Sequence, residues 1–227
     1  MLSPAGSFPL PGWEAPSDIV AAIANEEPAL FIAFLAPTGG YVSQYTLDGK
    51  LRLNWKMAHI PSGLDFDPNT DIVYVASYDS AEIYQASIRD HNQMLRYCGP
   101  ILGARQLGPL IVDDSRNQLL VGEVENGQVY SFDLKTRKSH LLASDLGSPQ
   151  ALLLSTDRRQ LFIADAVRRK IYRLDLSNPN APLMVFSAEA VYKEPVGLAL
   201  LSSGYIVVAD DRADALFILS PSGVLQH

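Results

Sequence analysis

Five stretches of the chain repeat one another: "PSDIVAAIANEEPALFIAF", "PSGLDFDPNTDIVYVAS", "LGPLIVDDSRNQLLVGE", "PQALLLSTDRRQLFIAD" and "PVGLALLSSGYIVVAD". Their first residues are Pro16, Pro61, Leu107, Pro149 and Pro195, at intervals of 45, 46, 42 and 46 residues. Such a period restricts the fold severely. Each unit must be one supersecondary element that buries its apolar face only against its neighbours.

Within a unit, an apolar run such as "GLDFD" or "ALLL" meets turn chemistry, as in Asp67-Pro68-Asn69-Thr70-Asp71 or Ser202-Ser203-Gly204, which predicts a hairpin. A second run ("IVYVAS", "LLVGE", "LFIAD", "IVVAD") leads through a polar knot to a third ("YVSQYTL", "EIYQASI", "QVYSFDL", "KIYRLDL", "ALFILSP"). Alternation with period two makes these runs strands. Tyr130, Phe132 and Leu134 share one face, and Tyr172, Leu174 and Leu176 repeat that choice 42 residues later. A short fourth run follows ("KLRLNW", "MLRYC", "SHLLAS", "PLMVFS", "GVLQH"), often behind a turn such as Asp48-Gly49 or Ser222-Gly223.

Five units of about 45 residues use the whole chain, so the expected fold is all-β: one five-bladed propeller of four-stranded antiparallel blades. The alternative is a six-bladed ring with one unit divergent or missing. The blades are placed at 16–57, 58–104, 105–146, 147–192 and 193–227. The last has 33 residues from Pro195 to His227, and residues 1–15 are expected to finish or staple it. Closing the ring removes the sheet edges that an open array would expose.

Composition fits one large core. A chain of 227 residues with 48% hydrophobic side chains can bury about 70% of its unfolded surface. With 18 basic against 25 acidic residues, no basic face is available for nucleic acid. The single cysteine, Cys98, forbids an internal disulfide and reads as a small buried side chain. No apolar run reaches the ~18–20 residues of a membrane span. The N-terminal "MLSPAGSFPLPGWEAPS" lacks the basic and apolar regions of a signal peptide, so a cytoplasmic protein is expected, periplasmic or secreted if a leader was removed.

The units "PQALLLSTDRRQLFIADAVRRKIYRLDL" and "PVGLALLSSGYIVVADDRADALFIL" resemble the NHL-repeat and gluconolactonase-like (regucalcin-like) group of propellers. Units of that group read Pro-x-Gly-Leu, then Val-Ala-Asp, then Ile-x-x-Phe/Leu-Asp. The resemblance covers most of the chain, is weakest over residues 1–56, and implies a propeller, commonly of six blades. The group includes binding scaffolds, lactonases, esterases and lyases, so it does not fix a function. It also implies a channel metal held by a Glu, an Asn of Pro-Asn-Gly and an Asp of Pro-Asp-Gly at the heads of inner strands. The corresponding residues here are Ser17, Ser62, Gly108, Gln150 and Val196, none of them a carboxylate. A neutral ring of this kind holds a hard divalent cation weakly, and no metal or cofactor is expected.

Asp165 aligns with Phe34, Ser77, Glu123 and Asp210 at the end of a second strand. A short acidic side chain there accepts backbone N–H bonds and fixes the turn, which is the role assigned to it first. The loops that follow, together with the unit-to-unit connections, share one end of a propeller around its channel. The candidate ligand-binding face there carries Trp13, His59, Ser62, Tyr78, Asp79, Arg105, Glu123, Gln150, Asp165, Tyr192 and Asp210, a mixture suited to a small polar ligand, peptide or protein. Catalytic groups are not assigned. The histidines, His59, His91, His140 and His227, form no pair at metal-ligand spacing, and no phosphate loop, nucleophile elbow or Cys-x-x-Cys occurs. The sequence therefore points to a binding or scaffold propeller, with a divergent hydrolase of lactonase or esterase type, or a lyase, as the alternative.

Overall fold

The computed structural model describes residues 15–90, 94–178 and 180–226. It is a five-bladed β-propeller of four-stranded antiparallel sheets. The first sheet holds β1 (Ala15–Ala24), β2 (Glu27–Ala36), β3 (Gly39–Thr46) and β4 (Leu51–Met57). The second holds β5 (Pro61–Asp67), β6 (Ile72–Ser77), β7 (Glu82–Ser87) and β8 (Arg96–Pro100). In the third are β9 (Leu107–Asp113), β10 (Gln118–Glu123), β11 (Gln128–Asp133) and β12 (Ser139–Ala143). The fourth contains β13 (Pro149–Leu154), β14 (Gln160–Asp165), β15 (Lys170–Asp175) and β16 (Met184–Ser187). The fifth is β17 (Pro195–Leu200), β18 (Ile206–Asp210), β19 (Ala215–Leu219) and β20 (Leu225–Gln226).

The repeat is visible in the register itself. Pro16 pairs with Phe34, Pro61 with Ser77, Leu107 with Glu123, Pro149 with Asp165 and Pro195 with Asp210. In each sheet a bulge follows close to that pair and re-aims the first strand. The residue just after each aligned position (Ser17, Ser62, Gly108, Gln150, Val196) consequently lines the central channel.

Among the described residues, four apolar cores hold neighbouring sheets together. Phe31 and Trp55 of the first sheet meet Leu64 and Phe66 of the second. Ile83 and Cys98 meet Leu110, Tyr130 and Phe132, while Leu120 and Val129 meet Ile163, Tyr172 and Leu174. Phe162 and Ile171 meet Ile206, Val208 and Tyr192. The faces expected for Tyr130/Phe132 and Tyr172/Leu174 are thus the packed ones. Burial also pushes the Cys98 thiol up to about 11, so Cys98 stays a neutral core side chain.

Two features bear on the expected closure of the ring. The fifth sheet draws all four strands from residues 195–226, with β20 as the fourth, so its ladder is complete without the N-terminus. The staple by residues 1–15 falls almost entirely outside the described residues, as do Trp13, His91 and His227; Ala15 opens β1. And no apolar core among the described residues joins the fifth sheet to the first.

Candidate functional site

The five inner strands surround a channel of about 900 Å³. Its wall mixes polar and apolar surface in nearly equal measure, with Val20, Leu64, Ile111, Leu153 and Leu198, one from each inner strand, as apolar members. Tyr78, Gln106, Ser148 and Gln150 stand at the mouth, and Gln150 Nε2 donates to Ser148 Oγ at 3.0 Å. Among the described residues, the charged side chains in this lining are Asp18 and Asp65.

Those two carboxylates escaped the sequence reading. Each lies within a mostly apolar stretch, where alternation marks no site. Asp18 Oδ1 accepts from Ile19 N at 2.8 Å, and its Oδ2 accepts from Leu64 N of the next sheet at 2.9 Å. Asp65 repeats the device one sheet on, accepting from Phe66 N at 2.8 Å and Val112 N at 2.8 Å. Burial raises both carboxyls to about 6 against these backbone bonds, and Asp65 is raised further by Asp18.

A folded value above the unfolded one favours the protonated form in the native state. The stability it supplies is complete below pH 4 and lost as pH rises through about 6. Asp113 runs the other way: burial raises it, but Ser115, Gln118 and Arg116 together hold it below the usual range, so its contribution is lost in acid. The thermal midpoint is therefore expected to be higher at pH 5 than at pH 7.5. The size is about 1 kcal/mol per channel carboxyl once lumen water is allowed for, or about 2–4 °C each. In Asp65→Asn this rise should shrink; an undiminished rise would assign it to other groups.

The expected face divides into two kinds of residue. Glu123, Asp165 and Asp210 are drawn inward and fully engaged rather than presented to a ligand. Asp165 accepts from Gly147 N at 2.7 Å, Ser148 N at 3.1 Å and Arg168 N at 2.9 Å. Asp210 does the same with Lys193 N, Glu194 N and Ala213 N, and Glu123 with Arg105 N, Gln106 N and Asn126 N. The carboxylate fixes its own turn and also ties it to the incoming connection, beside a backbone bond that recurs as Val124 N to Gln106 O, Ala166 N to Ser148 O and Asp211 N to Glu194 O. In the second sheet Ser77 is too short, and Asp79 reaches back to Ile60 N at 2.9 Å and to Ser77 Oγ at 3.0 Å. Tyr192, expected on the face, is buried between the fourth and fifth sheets, with its OH 3.1 Å from Ser187 Oγ and its ring edge-on to Phe217.

The rest do lie at the mouth or rim. Ser62, Tyr78 and Gln150 line the channel. His59 Nδ1 is 3.3 Å from Asp79 Oδ2 and its ring tilts over Tyr84, while Arg105 pairs with Glu125 at 3.2 Å on the outer rim.

The divalent metal that the fold group implies does not fit this donor set. The channel heads are neutral, Asp18 and Asp65 spend their oxygens on backbone N–H groups, and no three His, Cys, Asp or Glu side chains cluster among the described residues.

Solved structures share the architecture. A nidogen/laminin complex superposes with a TM-score of 0.74 at 14% identity, covering 88% of this chain and 74% of that one. A luciferin-regenerating enzyme gives 0.74 at 14% identity, with 95% and 76% covered. Virginiamycin B lyase from Staphylococcus aureus gives 0.75 at 12% identity, with 93% and 68% covered. At these identities the likeness shows the fold alone. No curated protein matches the sequence. The model of the SMP-30/gluconolactonase/LRE-like region, however, matches residues 108–227, more than half of the chain, and the protein belongs to that family.

Proposed function

We propose that this propeller is a binding module that takes a small ligand into the mouth of its channel. The observation that carries the reading is the composition of the wall: apolar side chains, a few neutral polar groups at the mouth, and two carboxylates with no basic side chain among the described lining residues. Such a pocket suits a ligand with an apolar body and hydrogen-bond donors, neutral or cationic, and disfavours an anion. Tyr78 supplies a partly exposed ring, and Gln106 and Gln150 supply amides that can fix orientation.

The test is thermal melting against a panel of amines, sugar lactones, sugar acids and short peptides. A compound present at 100 times its Kd stabilises by about 2.7 kcal/mol. The double variant Tyr78→Ala/Gln150→Ala should lose that shift while the unliganded stability stays within about 1 kcal/mol of the parent, as for most surface changes. A shift that survives this variant and disappears in Arg158→Ala/Arg159→Ala would place the ligand at the opposite end of the ring. Preference for anions would also defeat the proposal.

A hydrolase or lyase reading is favoured by one feature. Asp18 and Asp65, at about 6, can exchange a proton near neutral pH inside the pocket. Turnover of lactones or esters with a pH inflection near 6 that vanishes in Asp65→Asn would establish it in place of simple binding.

A further inference from the structure

The inner strands share a register, so their side chains stand at matched heights around the channel. Val20 pairs with Phe31, Asp65 with Tyr74, Ile111 with Leu120, Leu153 with Phe162 and Ala199 with Val207, each at the same distance from the pair that heads its sheet. Asp65 is therefore the one charged member of a belt whose other members are Val20, Ile111, Leu153 and Ala199. Asp18 lies nearer the mouth, opposite Ala33, and reaches across to Leu64 N. The belt divides two cavities. On the mouth side is the channel of about 900 Å³, and beyond the belt is a second cavity of about 410 Å³ that reaches Asp114, Thr156 and Arg158. Asp65, Ile111 and Leu153 line both.

Charge is matched on one side of the belt and not on the other. Beyond it, Arg158 donates to Val112 O at 2.9 Å and pairs with Asp114 at 3.2 Å. Asp18 and Asp65, among the described residues, accept only from backbone N–H groups. Each carboxylate has about four acceptor sites, so about half of them remain. That is too few for a divalent cation, which needs about six oxygens or more, but enough for the hydrogens of one ammonium. Burial raises both carboxyls to about 6, and the Asp18 charge raises Asp65 further, while Arg158 offsets this only in small part. At pH 7.5 the channel thus holds two ionised groups whose burial and mutual repulsion a cation would relieve.

We propose that the ligand of this channel is a primary amine, its ammonium donating to Asp18 and Asp65 and its body rising through the lumen toward Tyr78 and Gln150; the assignment rests on the channel being a ligand site, as proposed above. Arg158 sets the depth of entry, because an ammonium that passed the belt would meet its guanidinium.

The test is a titration of ¹⁵N-labelled protein at pH 7.5 with benzylamine, phenethylamine and hexylamine, each beside the alcohol of the same skeleton, so that only the charged group differs. At least one amine should bind about 10-fold more tightly than its alcohol. It should also move the amide signals of Leu64 and Val112, which donate to the two carboxylates. Asp18→Asn and Asp65→Asn should each weaken the amine about 10-fold and leave the alcohol unchanged, with the amide spectrum reporting the fold of each variant. The comparison of amine with alcohol in the parent protein needs no variant. Equal affinities, unmoved Leu64 and Val112 signals, or no binding by any amine would overturn the inference. Amine binding that survives both Asn variants and is lost in Asp114→Asn would put the ammonium in the far cavity and overturn it as well. Alcohols that bind as well as amines, through a site lost in Tyr78→Ala/Gln150→Ala, would sink the amine assignment and leave the binding-module reading standing.

Discussion

Asp165→Ala is expected to lower stability by about 3–5 kcal/mol, since it removes a buried acceptor from three backbone N–H groups at once. Those donors belong to Gly147, Ser148 and Arg168. Two lie on the connection between the third and fourth sheets and one on the loop within the fourth, so the substitution frees two segments from each other. In a protein of this size the loss corresponds to a fall of about 6–20 °C in thermal midpoint. Asp165→Asn should lie between, because its single acceptor oxygen keeps some of the bonds but turns an N–H toward another N–H. Asp210→Ala, with the same arrangement at Lys193, Glu194 and Ala213, should cost a similar amount. Asp79→Ala is the useful contrast. Asp79 is part exposed at the second-sheet position, water can replace it, and about 1 kcal/mol is expected. Equal losses at Asp79 and Asp165 would show that buried anchorage is not what the carboxylate supplies.

The aligned position of Asp165 was legible because a repeat exposes what each unit must do. A carboxylate recurring at the end of a second strand reads as a local turn former, and Arg168 N confirms that part. Its bonds to Gly147 and Ser148, 18 and 17 residues earlier, depend on how one unit is delivered to the next, which alternation cannot express. Strand faces such as Tyr130/Phe132 were legible for the same local reason. Tyr192 was misjudged because connection residues were treated as exposed, whereas the connection before β17 folds its ring under the fifth sheet. Asp18 and Asp65 were hidden by their neighbours: inside an apolar run a single carboxylate carries no pattern, and its partner N–H lies 46 or 47 residues away. The open side of the ring could not be read at all. The period counts units, but closure depends on the rotation between sheets.

Gly63→Ala should be the costliest single-methyl change in the inner ring, and its contrast with Gly197→Ala shows how the ring is built. The two glycines hold equivalent places in the Pro-x-Gly-Leu stretches of β5 and β17. A Cβ on Gly63 would stand 2.4 Å from Gly108 O and 2.6 Å from Leu110 N, backbone atoms of β9 that have no rotamer in which to retreat. The second and third sheets would have to separate, disturbing the bond from Val112 N to Asp65 and the core of Leu110 with Ile83. Overpacking of this kind costs about 3 kcal/mol, or about 6–12 °C in a protein of this size. A Cβ on Gly197 meets only the Ala209 Cβ at 3.1 Å, within its own sheet, because no following inner strand approaches it among the described residues. There the expected cost is below about 1 kcal/mol. If Gly197→Ala proved as damaging as Gly63→Ala, an inner strand would have to lie against β17 and the ring would contain a further sheet. If both were mild, the second and third sheets could slide apart freely, and the tight approach of β5 to β9 would not be part of what holds the channel in shape.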